Sequence, residues 1–166
     1  MSAVDLMNQD LVAIIVERLK EDGFTFSENT IDQRNVLVGK SSKFKVSWFA
    51  TQLNLFAIIA TPEEVSEEAI SSYCTSALDH AIKHNSGLPR GMQSGVACFA
   101  LMISPSVGVE AEKWIQKKSR KRFAAFAIPV LLDTSDNSLI YYKKTPILGG
   151  MYYKFFRKFV QKYFTV

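Results

Sequence analysis

The sequence predicts an α+β domain in which four helices accompany a mainly antiparallel sheet. Between residues 24 and 60, short apolar segments alternate at period two, as half-buried strands do. Four other segments repeat apolar residues at helical spacing. Because the strand-like segments follow one another without intervening helices, antiparallel pairing is favoured and the class is α+β.

The first elements are an N-terminal helix and a set of strands. Residues 4–22 form an amphipathic helix, and Asp22-Gly23 ends it because glycine accommodates the left-handed conformation after a last turn. Strands are predicted around residues 24–26 and 36–39. Residues 44–60 then alternate at period two, and two strands are favoured over one long bent strand.

A central helix is predicted over residues 62–84. Thr61 can cap it, Pro62 suits the first helical position, and Glu64 completes a capping box. The helix should end at the glycine-containing segment that follows residue 84.

The second half of the chain adds three strands and two helices. The predicted strands are residues 96–104, 123–133 and 139–144, and the predicted helices are a short one at residues 107–118 and a C-terminal one at residues 151–164. Pro129 lies inside the second of these strands and predicts a sheet edge or a bulge there, because proline lacks the N–H that a ladder needs.

Length and composition predict a single domain spanning residues 1–166. Hydrophobic residues make up 48% and charged residues 22% of the chain, which excludes wholesale disorder. Cys74 and Cys98 lie in apolar segments and are expected to be buried free thiols. The N-terminus lacks a signal-peptide pattern, and the most apolar stretch, residues 46–60, is too short and polar to span a bilayer. A soluble, cytoplasmic protein is therefore expected.

Charge is divided unevenly along the chain, whose net charge is +4. Residues 1–112 contain 8 basic and 14 acidic side chains, for a net charge of −6. Residues 113–166 contain 12 basic side chains and only Asp133 and Asp136, for a net charge of +10. This asymmetry indicates either an anionic partner or a contact between the two halves.

Two basic clusters in the C-terminal third are candidates for contact with an anionic partner. One spans the end of the short helix and the loop after it, and the other lies on the C-terminal helix. The candidate residues are Lys117, Lys118, Arg120, Lys121, Arg122, Lys154, Arg157, Lys158 and Lys162. Cations at a helix end also complement the helix dipole, so a solvated helix end is the alternative for the first cluster.

The C-terminal helix also carries adjacent pairs of aromatic and aliphatic residues every four positions. A helix lying on a membrane surface and a helix packed on a sheet both show this pattern. Packing on the sheet is favoured, because few other segments could cover it.

No residue pattern indicates a catalytic, metal or cofactor site. His80 and His84 are spaced i and i+4 but lack the glutamate of H-E-x-x-H. A restriction-endonuclease-like Mg²⁺ site needs an acid and then acid-x-lysine on the next strand, whereas Glu110-Ala111-Glu112-Lys113 has another spacing and lies in a helix. Residues 39–43, GKSSK, lack the first glycine of a P-loop.

The segment GLPRGMQSG, residues 87–95, is predicted to be a loop long enough to serve a function. Its polar residues Arg90, Gln93 and Ser94 are candidates for contact with a ligand or partner.

The opening helix, strands and second helix loosely resemble secretion-chaperone folds and restriction-endonuclease-like cores, an analogy of fold that implies no function. The leading hypothesis is a non-catalytic binding module that contacts a protein or nucleic acid and is compatible with homo-oligomers. The alternative is a nucleic-acid-processing, nuclease-like enzyme with a divergent or degenerate site. Attachment to anionic lipid is a third, weaker hypothesis.

Overall fold

The computed structural model describes residues 2–46, 51–85, 94–117, 120–122, 125–147 and 150–166, with the backbone alone described for residues 42–46, 51 and 120–122. Within these ranges it contains four helices and seven strands. They are α1 (Ala3–Glu21), β1 (Thr25–Ile31), β2 (Arg34–Val46), β3 (Thr51–Ala60), α2 (Glu67–Lys83), β4 (Ser94–Ser104), α3 (Val109–Gln116), β5 (Arg120–Arg122), β6 (Ala125–Asp133), β7 (Ser138–Tyr141) and α4 (Gly150–Phe164).

The strands form one mixed sheet in the order β1-β2-β3-β4-β6-β5, with β7 also paired to β6. β1, β2 and β3 form an antiparallel meander, and β5 and β7 both pair antiparallel with β6. The central pairs β3–β4 and β4–β6 are parallel, and each is joined by a crossover that contains a helix. Helices and a mostly antiparallel sheet confirm the α+β class, while the parallel centre was not predicted.

Helices cover both faces of the sheet. α2 and α3 cover one face, where Phe56, Tyr73 and Trp114 belong to a single buried cluster. α1 and α4 cover the other face, where Phe99 and Phe156 belong to a second buried cluster. Residues of the central strands alternate between the two clusters, because successive side chains of a strand point to opposite faces.

The N-terminal helix agrees with its prediction at both ends. Ser2 caps α1 by accepting a hydrogen bond from the backbone N–H of Asp5 at 3.1 Å, and Asp5 accepts one from the backbone N–H of Ser2 at 2.9 Å. Asp22 is the C-cap, and Gly23 follows with a φ of 89°. α3 and α4 likewise lie within one or two residues of their predicted limits.

The central helix begins later than residue 62. It starts at Glu67, and its cap is Ser66, whose hydroxyl accepts a hydrogen bond from the backbone N–H of Ala69 at 3.1 Å. The predicted capping role of Thr61 is therefore wrong.

Tertiary backbone contacts hold the segment before α2 in a non-helical conformation. The N–H of Val65 donates to the carbonyl of Ser106 at 2.8 Å, and the carbonyl of Val65 accepts from the N–H of Gly108 at 2.9 Å. These bonds form a parallel bridge between Val65 and Val107. The bridge overrides a local sequence pattern that favours a helix.

Three strand predictions are refined by the structure. Residues 44–60 divide between two strands as predicted, but β2 begins already at Arg34 and continues through an irregularity between Ser41 and Phe44. Residues 120–122 form the strand β5 and not a loop. Pro129 pairs with Ala100 of β4 and lies where β6 changes partner on its other side, from β5 to β7.

None of the helices in the described ranges combines the length and the apolar character that a membrane crossing requires.

Candidate partner-binding surfaces

The aromatic face of α4 packs on the sheet. Six of its fifteen residues are buried: Tyr153, Phe156, Phe159, Val160, Tyr163 and Phe164. The ring of Phe159 stacks on that of Phe99 of β4 at a centroid distance of 4.1 Å. The ring of Phe156 meets Phe99 edge-on at 5.8 Å. The core interpretation of α4 is confirmed, because these rings are covered by the protein itself.

The cations of α4 divide into two groups by their contacts. Lys154 and Lys158 are exposed and lie one turn apart on the outer side of the helix. Arg157 is half-buried and donates to the carbonyl of Lys144 at 3.2 Å. Lys162 donates to Asp22 at the end of α1, with 2.8 Å between Nζ and Oδ2. Lys154 and Lys158 are therefore the cations of α4 that are available to a partner.

The Asp22 carboxylate joins the ends of α1 and α4. Lys162 and the hydroxyl of Tyr163 both donate to Oδ2 of Asp22. Hydrogen bonds from Lys162 and Tyr163 lower the pKa of Asp22, and the Asp22 carboxylate raises the pKa of Lys162. Lys162 thus links the end of α4 to the end of α1.

The first basic cluster begins on the opposite face of the sheet. Lys117 follows α3, and its Nζ lies 3.9 Å from Oε1 of Glu67 in the first turn of α2. Lys118 lies outside the described residues. Residues 120–122 continue in β5 at the edge of the sheet. Lys117 is therefore separated from α4 by the sheet.

β5 and the first half of α4 nevertheless both contact the same end of β6. Lys121 is the register partner of Phe126 in β6. The ring of Phe126 lies 5.2 Å from the rings of both Tyr152 and Phe156 in α4. The backbone of Arg120–Arg122 and the helix that carries Lys154 and Lys158 are therefore linked through one strand, β6.

Two further cations at this edge were missed as site candidates. Lys143 and Lys144 follow β7 and are exposed, and Lys143 Nζ lies 5.8 Å from the ring centroid of Tyr141. Sequence analysis assigned both lysines to the predicted strand at residues 139–144 and did not include them among the candidate site residues. We call the four exposed cations Lys143, Lys144, Lys154 and Lys158 the basic edge. None of the four forms an ion pair with another described residue.

Ser94 belongs to a strand and not to the predicted functional loop. It is the first residue of β4, is 3% exposed, and accepts a hydrogen bond from Nδ2 of Asn54 in β3 at 3.5 Å. Arg90 and Gln93 lie outside the described residues. Ser94 is a buried partner of Asn54 and is not accessible to a ligand in this conformation.

The histidine pair makes contacts within its own helix, and Cys98 is buried. The rings of His80 and His84 stack at 4.0 Å, and Nδ1 of His84 is 2.9 Å from the carbonyl of His80. Burial lowers the pKa of His80 and raises that of the Cys98 thiol, and both changes favour the neutral forms. The described residues contain no group of three His, Cys, Asp or Glu side chains that could hold a metal ion.

A large groove lies at the other end of the sheet, between α1 and the strands β1 to β3. It has a volume of about 1230 Å³. Its apolar lining includes the half-buried Val12 and Val16 of α1. Its polar lining includes the exposed Asp5, Glu17 and Glu28. Sequence analysis did not predict this groove, because its walls come from separate elements.

Asn8 lies against this groove with an unsatisfied amide. Its side chain is 5% exposed, and its Oδ1 has no hydrogen-bond partner among the described residues. Buried polar atoms are seldom left in this state, because an unmade hydrogen bond is costly. The Oδ1 of Asn8 is therefore an unsatisfied acceptor buried beside the groove.

Comparisons with known proteins leave the family of the chain open. No family model matches the sequence, and no curated protein matches it. One solved structure is similar, that of NucC from E. coli MS115-1 in its cAAA-bound form, with 9% identity and a TM-score of 0.40 over 99% of this chain and 91% of that chain. A similarity of this size carries no functional argument.

Proposed function

We propose that the protein is a single-domain, cytoplasmic binding module that contacts the phosphate backbone of a nucleic acid through its basic edge. The observation that carries the proposal is the division of α4 into two sides. The aromatic side is buried against the sheet, while Lys154 and Lys158 remain exposed on the other side.

The position of the basic edge favours an extended anion over a small one. Lys143 and Lys144 follow β7 in the chain. Arg157 connects α4 to this segment by donating a hydrogen bond to the carbonyl of Lys144. The four exposed cations thus belong to two neighbouring segments, α4 and the segment after β7, which this hydrogen bond connects. Cations spread over a surface suit a polymer of phosphates, each neutralised charge adding a salt-sensitive increment of affinity.

The membrane hypothesis receives less support from the same helix. A helix that lies on a bilayer inserts its apolar face among the acyl chains. The apolar face of α4 is instead covered by Phe99 and its neighbours, and Met151 is the exposed large apolar residue of this helix. Insertion would require α4 to leave the sheet.

Fluorescence anisotropy with a labelled single-stranded oligonucleotide tests the proposal. We expect binding at about 50 mM salt that weakens steeply by about 200 mM salt. Lys154→Glu/Lys158→Glu should lower the affinity and reduce the slope of log affinity against log salt by about 1.4, since each lost phosphate contact removes about 0.7.

Lys83→Glu is the matched control, because Lys83 is an exposed lysine in the last turn of α2, on the other face of the sheet. It should leave the slope unchanged. Absence of binding by the wild type at low salt would exclude the proposal. An equal loss per reversed charge in the control would show that net charge alone, and not the basic edge, attracts the oligonucleotide. Vesicles that contain anionic lipid serve as a second probe, and preferential binding to them would favour the membrane hypothesis instead.

The nuclease-like alternative is supported by the order of elements alone, a helix and three antiparallel strands followed by a helix and a parallel strand. The residues of β3, TQLNLFAIIA, include no acid or lysine for an acid-x-lysine site. The carboxylate of Asp32, in the turn between β1 and β2, accepts a hydrogen bond from Ser72 at 2.9 Å. We therefore expect labelled DNA to remain intact with Mg²⁺ or Mn²⁺. Metal-dependent cleavage would favour the nuclease-like enzyme over the binding module.

A further inference from the structure

We infer that the groove under α1 receives the segment 143–147 of a second copy of this chain, in a head-to-tail contact. The groove lies at the β1 end of the sheet, and the segment lies beyond β7 at the opposite end. The two surfaces are thus far enough apart in the fold to belong to different copies.

The first argument is the chemistry of the groove. Its rim carries the carboxylates of Asp5, Glu17 and Glu28 and one cation, Lys20. Lys20 is paired with Glu17 at 3.4 Å, while Glu28 forms no ion pair with another described residue. The groove therefore favours a cationic occupant.

The second argument is the buried amide of Asn8. Its Oδ1 needs a donor that the described residues do not supply. When the amide turns toward the groove, a lysine ammonium or a backbone N–H of an inserted segment would be such a donor, and pairing would remove the cost of an unmade hydrogen bond.

The third argument is the composition of the segment itself. Residues 143–147, KKTPI, follow β7 without regular structure. Lys143 and Lys144 are exposed, and Ile147 is fully exposed at 101%. The segment thus offers two cations and one apolar side chain to a groove that has an acidic rim and an apolar lining containing Val12 and Val16.

The geometry determines the kind of assembly. Because the groove and the segment are different surfaces, the contact is heterologous, and an open chain of copies keeps one free groove at one end and one free segment at the other. Such a contact extends into rings or chains and does not stop at a symmetric dimer. We therefore expect oligomers that grow with protein concentration and that dissociate as salt is raised.

Analytical ultracentrifugation of two complementary variants tests this arrangement. Lys143→Ala/Lys144→Ala/Ile147→Ser removes the segment's contacts and leaves the groove intact, whereas Glu28→Lys repels the segment and leaves the segment intact. Each variant alone should be monomeric at concentrations where the wild type forms oligomers. A mixture of the two should form a 1:1 heterodimer, since one intact groove and one intact segment remain.

Glu21→Lys is the matched control for the groove, because Glu21 is an exposed acid at the end of α1 that does not line the groove. It should assemble as the wild type does. A wild type that stays monomeric throughout would overturn the inference. So would a wild-type dimer that the two variants also form alone, because that result requires a symmetric interface elsewhere. Oligonucleotide binding by Glu28→Lys should not weaken. Failure of the head-to-tail contact can therefore be distinguished from failure of the proposed oligonucleotide binding.

Discussion

α4 and α1 cover the same face of the sheet but use their apolar residues differently. Six of the fifteen residues of α4 are buried, compared with three of the nineteen residues of α1. Val4, Leu6, Met7 and Ile14 of α1 are exposed, each by at least 38%. The comparison shows that an amphipathic pattern predicts a helix but does not determine how much of its apolar face the core covers.

The strands beneath each helix account for the difference. α4 lies over the central strands, which present large rings such as Phe99. The first half of α1 lies beside β1 and β2, whose residues at the groove include Glu28, Thr30 and Asn35. Polar strand residues give an apolar helix face little to bury against, so the groove stays open.

The largest expected effect comes from removing an aromatic residue of α4. Phe159→Ala should lower the free energy of unfolding by about 3–5 kcal/mol, because it leaves a cavity beside Phe99. Leu6→Ala, the matched change at a 53% exposed position of α1, should alter it by about 0.5 kcal/mol or less. Urea unfolding measures both, and similar losses would contradict the difference between the helices.

Hydrogen exchange should separate the two helices without mutation. In dilute protein, amides of residues 7–13 should exchange about tenfold or more faster than those of residues 156–162, a difference of about 1.4 kcal/mol or more in opening free energy. The reason is the smaller buried surface over the first half of α1. Equal protection by mass spectrometry would show that α1 is held as firmly as α4.

Replacing Asn8 with an apolar residue of similar size should stabilise the monomer. Asn8→Leu removes the buried, unsatisfied Oδ1, and we expect a gain of about 1 kcal/mol in the free energy of unfolding. The same variant should assemble less readily, because the inserted segment loses an acceptor. A loss of stability in urea unfolding would show that the Asn8 amide is already satisfied.

The smallest expected effect concerns the link between the ends of the two helices. Tyr163→Phe removes a hydrogen bond to Asp22 and should cost about 1 kcal/mol or less at neutral pH. The folded-state pKa of Asp22 lies below its ordinary value of 3.8, so this stabilisation is complete above that pH and is lost as pH falls through the folded pKa. Thermal unfolding should show the wild type and the variant converging in acid and parallel from about pH 5 upward. A difference that persists in acid would exclude Asp22 as its source.

Much of the fold could be predicted from sequence, because local patterns determine it. The stop of α1 at Asp22-Gly23 and the helix α4 follow from capping chemistry and helical spacing. The start of α2 could not be predicted, because the bond between Val65 and Ser106 joins segments some forty residues apart. The parallel pairing of β3 with β4 also depends on contacts that no local pattern encodes.

The candidate sites were predicted less completely. Lys154 and Lys158 were found from their charge and spacing, and the structure leaves both exposed. The pairing of Lys162 with Asp22 required knowledge that the ends of α1 and α4 meet. The groove was invisible to sequence analysis, because Asn8 and Glu28 become neighbours of one cavity only after folding.

The central claim is that Lys154 and Lys158 of α4 bind the oligonucleotide whereas the groove under α1 binds a second copy of the chain, and a crossed comparison tests it most directly. Lys154→Glu/Lys158→Glu and Glu28→Lys are each measured for oligonucleotide binding by anisotropy and for self-association by ultracentrifugation. We predict that the α4 variant loses oligonucleotide binding and keeps self-association, whereas the groove variant loses self-association and keeps oligonucleotide binding. Loss of both properties in either variant would contradict the claim.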